Sequence, residues 1–257
     1  MDLLTSLILV AAGIGVGIMA AIVGGAAVIA YPVLIAAGLT PQVAAIGNIT
    51  ALVPGIMLAA LSDRSQLPPF NRAFVGMVFA SIVGAAAGAL LLLMTPDRVF
   101  SVLVPLLLGF ATILFAYAGR ITTWLRERAM RLGGAEPRLG ATNLRILLPV
   151  SIYGGYFGAG VGVLLLAVLS IGTGGDYRSA NVTKNLVTSL NSTVAAGVMI
   201  AQGAVYWPQT LAMMSGAVAG GLIGSWLARV LPRQLIRILI IAVGALLTAL
   251  FARLYWF

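Results

Sequence analysis

Apolar residues fall into ten blocks along this chain, at about 3–23, 26–38, 42–61, 73–94, 99–118, 145–157, 160–171, 178–201, 209–229 and 234–254. Most blocks hold the roughly 20 residues that a helix rising ~1.5 Å per residue needs to cross a hydrocarbon core of ~30 Å. Blocks 26–38, 145–157 and 160–171 hold about 12 or 13 each, which gives only ~20 Å of helix. Each of these adjoins a glycine break, at Gly24-Gly25 or at Gly158, Gly160 and Gly162. Backbone that leaves helical pairing at membrane depth is tolerated only where protein buries it or where it lines a cavity. The short blocks are therefore predicted to be half-helices or re-entrant arms.

The broken pattern occurs twice, over Gly13 to Leu52 and again over Tyr153 to Asn191. Each copy runs from a glycine-interrupted apolar segment through a short apolar stretch to a polar helix start rich in asparagine. Such paired interruptions at matching places in two halves point to the substrate site of a transporter. The expectation is an all-α polytopic membrane protein of two repeats, 1–119 and 145–257, joined by a basic polar loop at 120–144. With 61% of 257 residues apolar and 8% charged, no soluble domain is expected beside them. The N-terminal MDLLTSLILV lacks a basic leader and reads as the first membrane segment.

The net charge of +9 matters through its placement. If each half crosses the membrane an odd number of times, 13 of the 15 basic residues share one side and Arg98 and Arg253 keep the other; an even count divides them 9 to 6. Positive charge collects in cytoplasmic loops, so the odd count is favoured. It turns the second repeat upside down, puts both termini outside and the 120–144 loop in the cytoplasm, and lets the two breaks face each other near the midplane. Arg120, Arg126, Arg128, Arg131 and Arg138 then form a solvated face against anionic lipid. Asp63, Asp97 and Asp176 sit at segment ends, and Trp207, Trp226, Trp256 and Tyr255 read partly as interfacial anchors.

Basic residues spread between membrane segments do not suggest nucleic acid. Cysteine and histidine are absent, which removes disulfides, thiolate chemistry, histidine metal sites and histidine acid–base catalysis. The expectation is a protein that is not an enzyme, has no cofactor or metal, and has a small anion and the lipid bilayer as partners; a homo-oligomer is left open.

The chemistry concentrates in one otherwise membrane-length segment carrying Asn181, Thr183, Lys184, Asn185, Thr188, Asn191 and Ser192. Lys184 is the only lysine in the chain. Thr188 and Asn191 follow it by four and seven residues, and Asn181 precedes it by three, so all share one helical face. A lysine deep in a membrane costs roughly 2.5 to 3.5 kcal/mol on insertion scales and so faces a partner or a wet cavity. The functional reading is an ammonium that receives an anion, with asparagine amides donating to its oxygens. The plainer alternative is a lysine near the cytoplasmic interface that snorkels to headgroups, which leaves the asparagines without a role.

In the first repeat Asn48 and Thr50 hold the matching stretch, before the helix-bending Pro54-Gly55; helix–helix packing is the competing reading there. Gly24, Gly25, Gly158 and Gly160 precede short helices whose N-terminal amides favour anions. Gly13 and Gly17, Gly84 and Gly88, and Gly216, Gly220 and Gly224 carry the small-residue spacing of close helix packing. No acidic residue falls convincingly inside a segment, unlike many proton- or sodium-coupled carriers. An anion leaving a cell that is negative inside gains ~2.3 kcal/mol per charge per 100 mV, which suits export without a coupling ion.

These motifs resemble the sulfite exporter TauE/SafE family, also called the 4-toluene sulfonate uptake permease family, over nearly the whole chain. The resemblance rests on Gly24-Gly25 with Tyr31-Pro32, Leu39-Thr40-Pro41 and Gly47-Asn48, then on Gly154-Gly155-Tyr156-Phe157-Gly158-Ala159-Gly160 and Asn181-Val182-Thr183-Lys184-Asn185 with Asn191. The closing match is Gly203-Ala204-Val205-Tyr206-Trp207, with Tyr206 where an acidic residue is frequent, and the second-half proline is lacking. The resemblance implies transport of sulfite, thiosulfate or an organic sulfonate across the bacterial inner membrane. A channel-like anion permease and an importer of a sulfonate or other small organic anion are the alternatives. An intramembrane enzyme or scaffold would lack a catalytic pair.

Overall fold

The computed structural model describes residues 2–22, 27–67, 72–131, 141–172, 177–227 and 233–256. These form ten α-helices: α1 (Leu3–Ile22), α2 (Ala27–Ala36), α3 (Pro41–Leu61), α4 (Arg72–Met94), α5 (Asp97–Arg131), α6 (Ala141–Tyr156), α7 (Val161–Gly172), α8 (Tyr177–Ala201), α9 (Trp207–Leu227) and α10 (Arg233–Trp256), with a 3-10 turn at Arg64–Gln66. Six helices, α1, α3, α4, α5, α9 and α10, are long and apolar enough to cross a membrane. The chain is an all-helical, multi-pass membrane protein. The short helices fall where the apolar blocks are short, at α2, α7 and the apolar part of α6.

One boundary differs from the sequence reading. Residues 120–131, expected as the start of a polar loop, continue α5 without interruption, and α6 begins as early as Ala141. The reason is propensity. The stretch Arg120 to Arg131 is dominated by Arg, Leu, Glu, Ala and Met, which favour helix, and the first glycines come at Gly133-Gly134. Charge ends the membrane crossing there, but it does not end the helix.

Glycines set the closest helix contacts. A Cβ placed on Gly17 of α1 would lie 2.9 Å from the amide of Gly221 on α9, and one on Gly220 would lie 2.8 Å from the carbonyl carbon of Ile14. The same holds between α4 and α6, where a Cβ on Gly88 would lie 2.8 Å from the amide of Tyr156, and between α3 and α9, where Gly55 meets Ala217 and Gly221 backbone. Such backbone-to-backbone approach is how membrane helices gain packing energy when lipid leaves little hydrophobic drive between them.

The contacts also give the helix directions. Gly13 faces Met213 and Ala217 while Gly17 faces Ala217 and Gly221, so α1 and α9 run parallel. Gly47 lies beside Thr210 and Gly55 beside Ala217, which adds α3 to the same direction. Gln42, at the start of α3, donates to Leu92 O at 2.7 Å and Thr95 O at 3.0 Å, at the end of α4, so α4 runs opposite to α3. Gly84 faces Leu148 and Ile152 and Gly88 faces Ile152 and Tyr156, which makes α6 parallel to α4. The end of α3 meets the start of α8 through Asp63 and Arg178 at 2.7 Å, so these two helices are antiparallel. Arg237 donates to Phe115 O at 2.8 Å and Trp256 donates to Val102 O at 3.0 Å, so α10 runs antiparallel to α5.

Candidate functional site

α8 buries Asn181, Thr183, Lys184, Asn185, Ser189 and Asn191. Three of them reach the end of α1. Lys184 Nζ donates to Ala20 O at 3.2 Å, and the Nδ2 groups of Asn181 and Asn185 each donate to Ala21 O at 3.3 Å. Both carbonyls lie in the last described turn of α1, which runs to Ile22. An ammonium there also meets the negative end of the helix dipole. Lys184 is 1% exposed, and among the described residues no carboxylate comes within ion-pair distance of it.

Beside the ammonium lies a cavity of about 30 Å³, large enough for water. Ala20 and Ala27 line it from either side of the first break, and Gly158 and Gly162 line it at the second. α3 contributes Asn48, Ile49, Leu52 and Ile56; α8 contributes Lys184, Thr188 and Ser192. Lys184, Thr188 and Ser192 are spaced by four, one polar row down α8, while Ile49, Leu52 and Ile56 form an apolar row on α3. The cavity sits near mid-length of both helices. A larger groove of about 420 Å³ between α2 and α10 is lined only by apolar residues from Pro32 to Ala36 and from Leu247 to Leu254, so it has no group to orient an anion.

The cavity region holds unmade hydrogen bonds. Asn48 Oδ1, Asn181 Oδ1, Asn185 Oδ1 and Thr188 Oγ1 are buried without a partner among the described residues. Each such atom costs ~1–3 kcal/mol, and folded proteins tolerate few of them. The amides of Asn181 and Asn185 are oriented by Ala21 O, which accepts only from the nitrogen end. No described partner orients Asn48, so its amide can present either a donor or an acceptor to the cavity.

The second break is built by glycine. Gly158 and Gly160 have φ of +80° and +78°, a conformation that L side chains rarely adopt. The amides of Phe157 and Gly158 both fold back on Tyr153 O, at 2.9 and 3.3 Å, and close the end of α6. Those of Val161 and Gly162, at the start of α7, donate to no described backbone carbonyl, and Gly162 lines the cavity, so the positive end of α7 opens toward it. Tyr31 of α2 packs edge-on against Phe157 at 5.5 Å and ties the first short helix to the second break.

A comparison with protein-family models matches residues 9–251 to the sulfite exporter TauE/SafE model. The chain belongs to this TauE/SafE family. Among its curated relatives is "Probable membrane transporter protein ORF9" of Sinorhizobium sp, 27% identical over 242 residues, covering 89% of this chain and 85% of the relative. Another is "Probable membrane transporter protein YfcA" of Escherichia coli strain K12, 25% identical over 241 residues, covering 91% of this chain and 84% of the relative. No solved structure matches the chain. The protein is thus a TauE/SafE membrane transporter.

In this TauE/SafE protein the site residues expected from sequence divide into three groups. Asn48, Gly158, Lys184 and Thr188 line the cavity. Asn181 and Asn185 are adjacent to it in sequence, and each amide nitrogen gives one of its two N–H groups to Ala21 O at the end of α1. Asn191 donates to Ser151 O of α6 at 3.1 Å, Thr50 bonds Ile46 O of its own helix at 2.8 Å, and Gly160 packs against Ala111 of α5; these three stand away from the cavity. Gly24 and Gly25 lie outside the described residues, as does Asp176. The apolar wall of Ile49, Leu52 and Ile56 was not anticipated, because nothing in an apolar row marks it as facing a site and not lipid. Asp63, expected as a bland segment end, instead makes a two-pronged bond with Arg178 Nε and Nη2, both at 2.7 Å.

Proposed function

We propose that this TauE/SafE transporter exports a small sulfur-containing anion, such as sulfite, thiosulfate or an organic sulfonate, by alternating access around the Lys184 cavity. The observation that carries the proposal is an almost fully buried ammonium without a described carboxylate partner, beside a cavity lined by residues flanking both helix breaks. A buried unpaired charge is costly, and a bound anion repays that cost. Asn48, the Thr188 hydroxyl and the open amides of α7 supply hydrogen bonds for its oxygens.

The helix directions support two repeats of inverted topology, since α3 and α8 occupy matching places in the two halves and run antiparallel, as do α5 and α10. Rocking one inverted repeat against the other exposes a central site to alternate sides. The helix ends that carry Arg64, Arg72, Arg120, Arg178 and Arg237 share one face of the bundle, while Arg98 and Arg253 belong to the opposite ends of α5 and α10. That division supports a cytoplasmic basic face and both termini outside, in the inner membrane. Outward movement of an anion runs with the membrane potential, ~2.3 kcal/mol per charge per 100 mV.

The test is anion binding by purified protein and flux in proteoliposomes, for the native chain and for Lys184→Met. The native protein is expected to bind and to move the anion saturably and competably, and the variant to insert normally but lose both. Unchanged binding by the variant would sink the assignment. Flux that rises linearly without saturation would replace the carrier with a channel.

A further inference from the structure

The charge of the cavity goes beyond the chemistry of its polar groups. Among the described residues Lys184 is its only charged lining group: the walls from α1, α2, α3, α7 and the second break are Ala, Asn, Ile, Leu and Gly, and none of them titrates. At the second break the negative end of α6 lies beside the positive end of α7, so the two partly offset each other. The surroundings do not screen a further charge, because α3 faces the ammonium with Ile49, Leu52 and Ile56.

From this balance we infer that the cavity selects its ligand by charge and takes singly charged anions in preference to doubly charged ones. The inference rests on the transport reading above and adds a rule that is independent of head-group chemistry. A monoanion neutralises Lys184. A dianion of the same size leaves one uncompensated negative charge buried against an apolar wall, and such a charge is strongly penalised. An oxyanion that exists near neutrality in both charge states then binds as its protonated, singly charged form.

The experiment is equilibrium binding to the purified native protein at several pH values with three probes. Methanesulfonate stays singly charged, sulfate stays doubly charged, and sulfite moves from one charge to two as pH rises. Methanesulfonate is expected to bind at least roughly a hundredfold tighter than sulfate, the scale set by burying an unpaired charge. Sulfite affinity, taken relative to methanesulfonate at each pH, is expected to fall as pH rises; that ratio removes any change in the charge of Lys184. If sulfate binds as tightly as methanesulfonate, and Lys184→Met abolishes both, the charge rule is wrong and the transport site stands. A flat sulfite-to-methanesulfonate ratio overturns the rule equally. If no probe binds the native protein, the transport reading fails and the rule falls with it.

Discussion

α3 and α8 hold matching places in the two halves and line the same cavity, yet they bring opposite chemistry to it. α8 presents Lys184, Thr188 and Ser192; α3 presents Ile49, Leu52 and Ile56 with one polar residue, Asn48. Their burial differs in the same sense, with six polar side chains buried on α8 and two, Asn48 and Thr50, on α3. α3 in turn carries Gly55, which lets it seat directly on α9. Two helices in matching places can therefore split the work, one holding the charge and the other the scaffold around it. Two identical ammonium helices facing each other at mid-membrane would repel and would each need a counter-ion.

The comparison breaks hardest on the scaffold side. Gly55→Leu drives a side chain into the backbone of Ala217 and Val218, and is expected to cost about 3 kcal/mol or more, seen as loss of folded protein on size-exclusion chromatography. On the ligand side, Lys184→Met should remove anion binding while leaving stability within about 1 kcal/mol, because relief from charge burial offsets the lost bond to Ala20 O. A melting temperature far below the native value would mean that the lysine serves the fold first. Asn48→Leu tests whether α3 contributes more than a wall: one lost hydrogen bond to a charged ligand corresponds to about a tenfold weaker anion affinity in a titration. The smallest change is expected from Arg178→Gln, which cuts the tie between the end of α3 and the start of α8. Arg178 is half exposed, so denaturation should register no more than about 1 kcal/mol.

Much of the architecture was legible because lipid leaves the backbone few choices. Apolar run length located all ten described helices, with starts and ends mostly within two residues, and the glycines at Gly158 and Gly160 marked the second interruption; the first, at Gly24-Gly25, lies outside the described residues. The exception, α5 running on to Arg131, shows that polarity ends a membrane crossing while propensity decides where a helix ends. The site was legible in part. Lys184, Thr188 and Asn48 stood out as polar residues in apolar surroundings, and they do line one cavity. Asn181, Asn185 and Asn191 stood out for the same reason, but their amides serve the carbonyls of Ala21 and Ser151. A buried asparagine has the same sequence signal whether it serves a backbone carbonyl or a ligand, since both satisfy the same demand for a hydrogen bond.

Composition and periodicity were enough to make this chain a helical membrane protein broken by glycine in two matching places. They were also enough to single out its lone lysine, because a bilayer penalises every charge and every unpaired amide wherever the chain puts them. They could not say which carbonyl each amide would meet, that Ala20 and Gly158 would border one cavity, or that three apolar residues of α3 would face an ammonium and not lipid. Those outcomes depend on how helices far apart in sequence settle against each other. Glycine-to-backbone contacts such as Gly17 on Gly221 and Gly88 on Tyr156 fix that arrangement only once the bundle has closed.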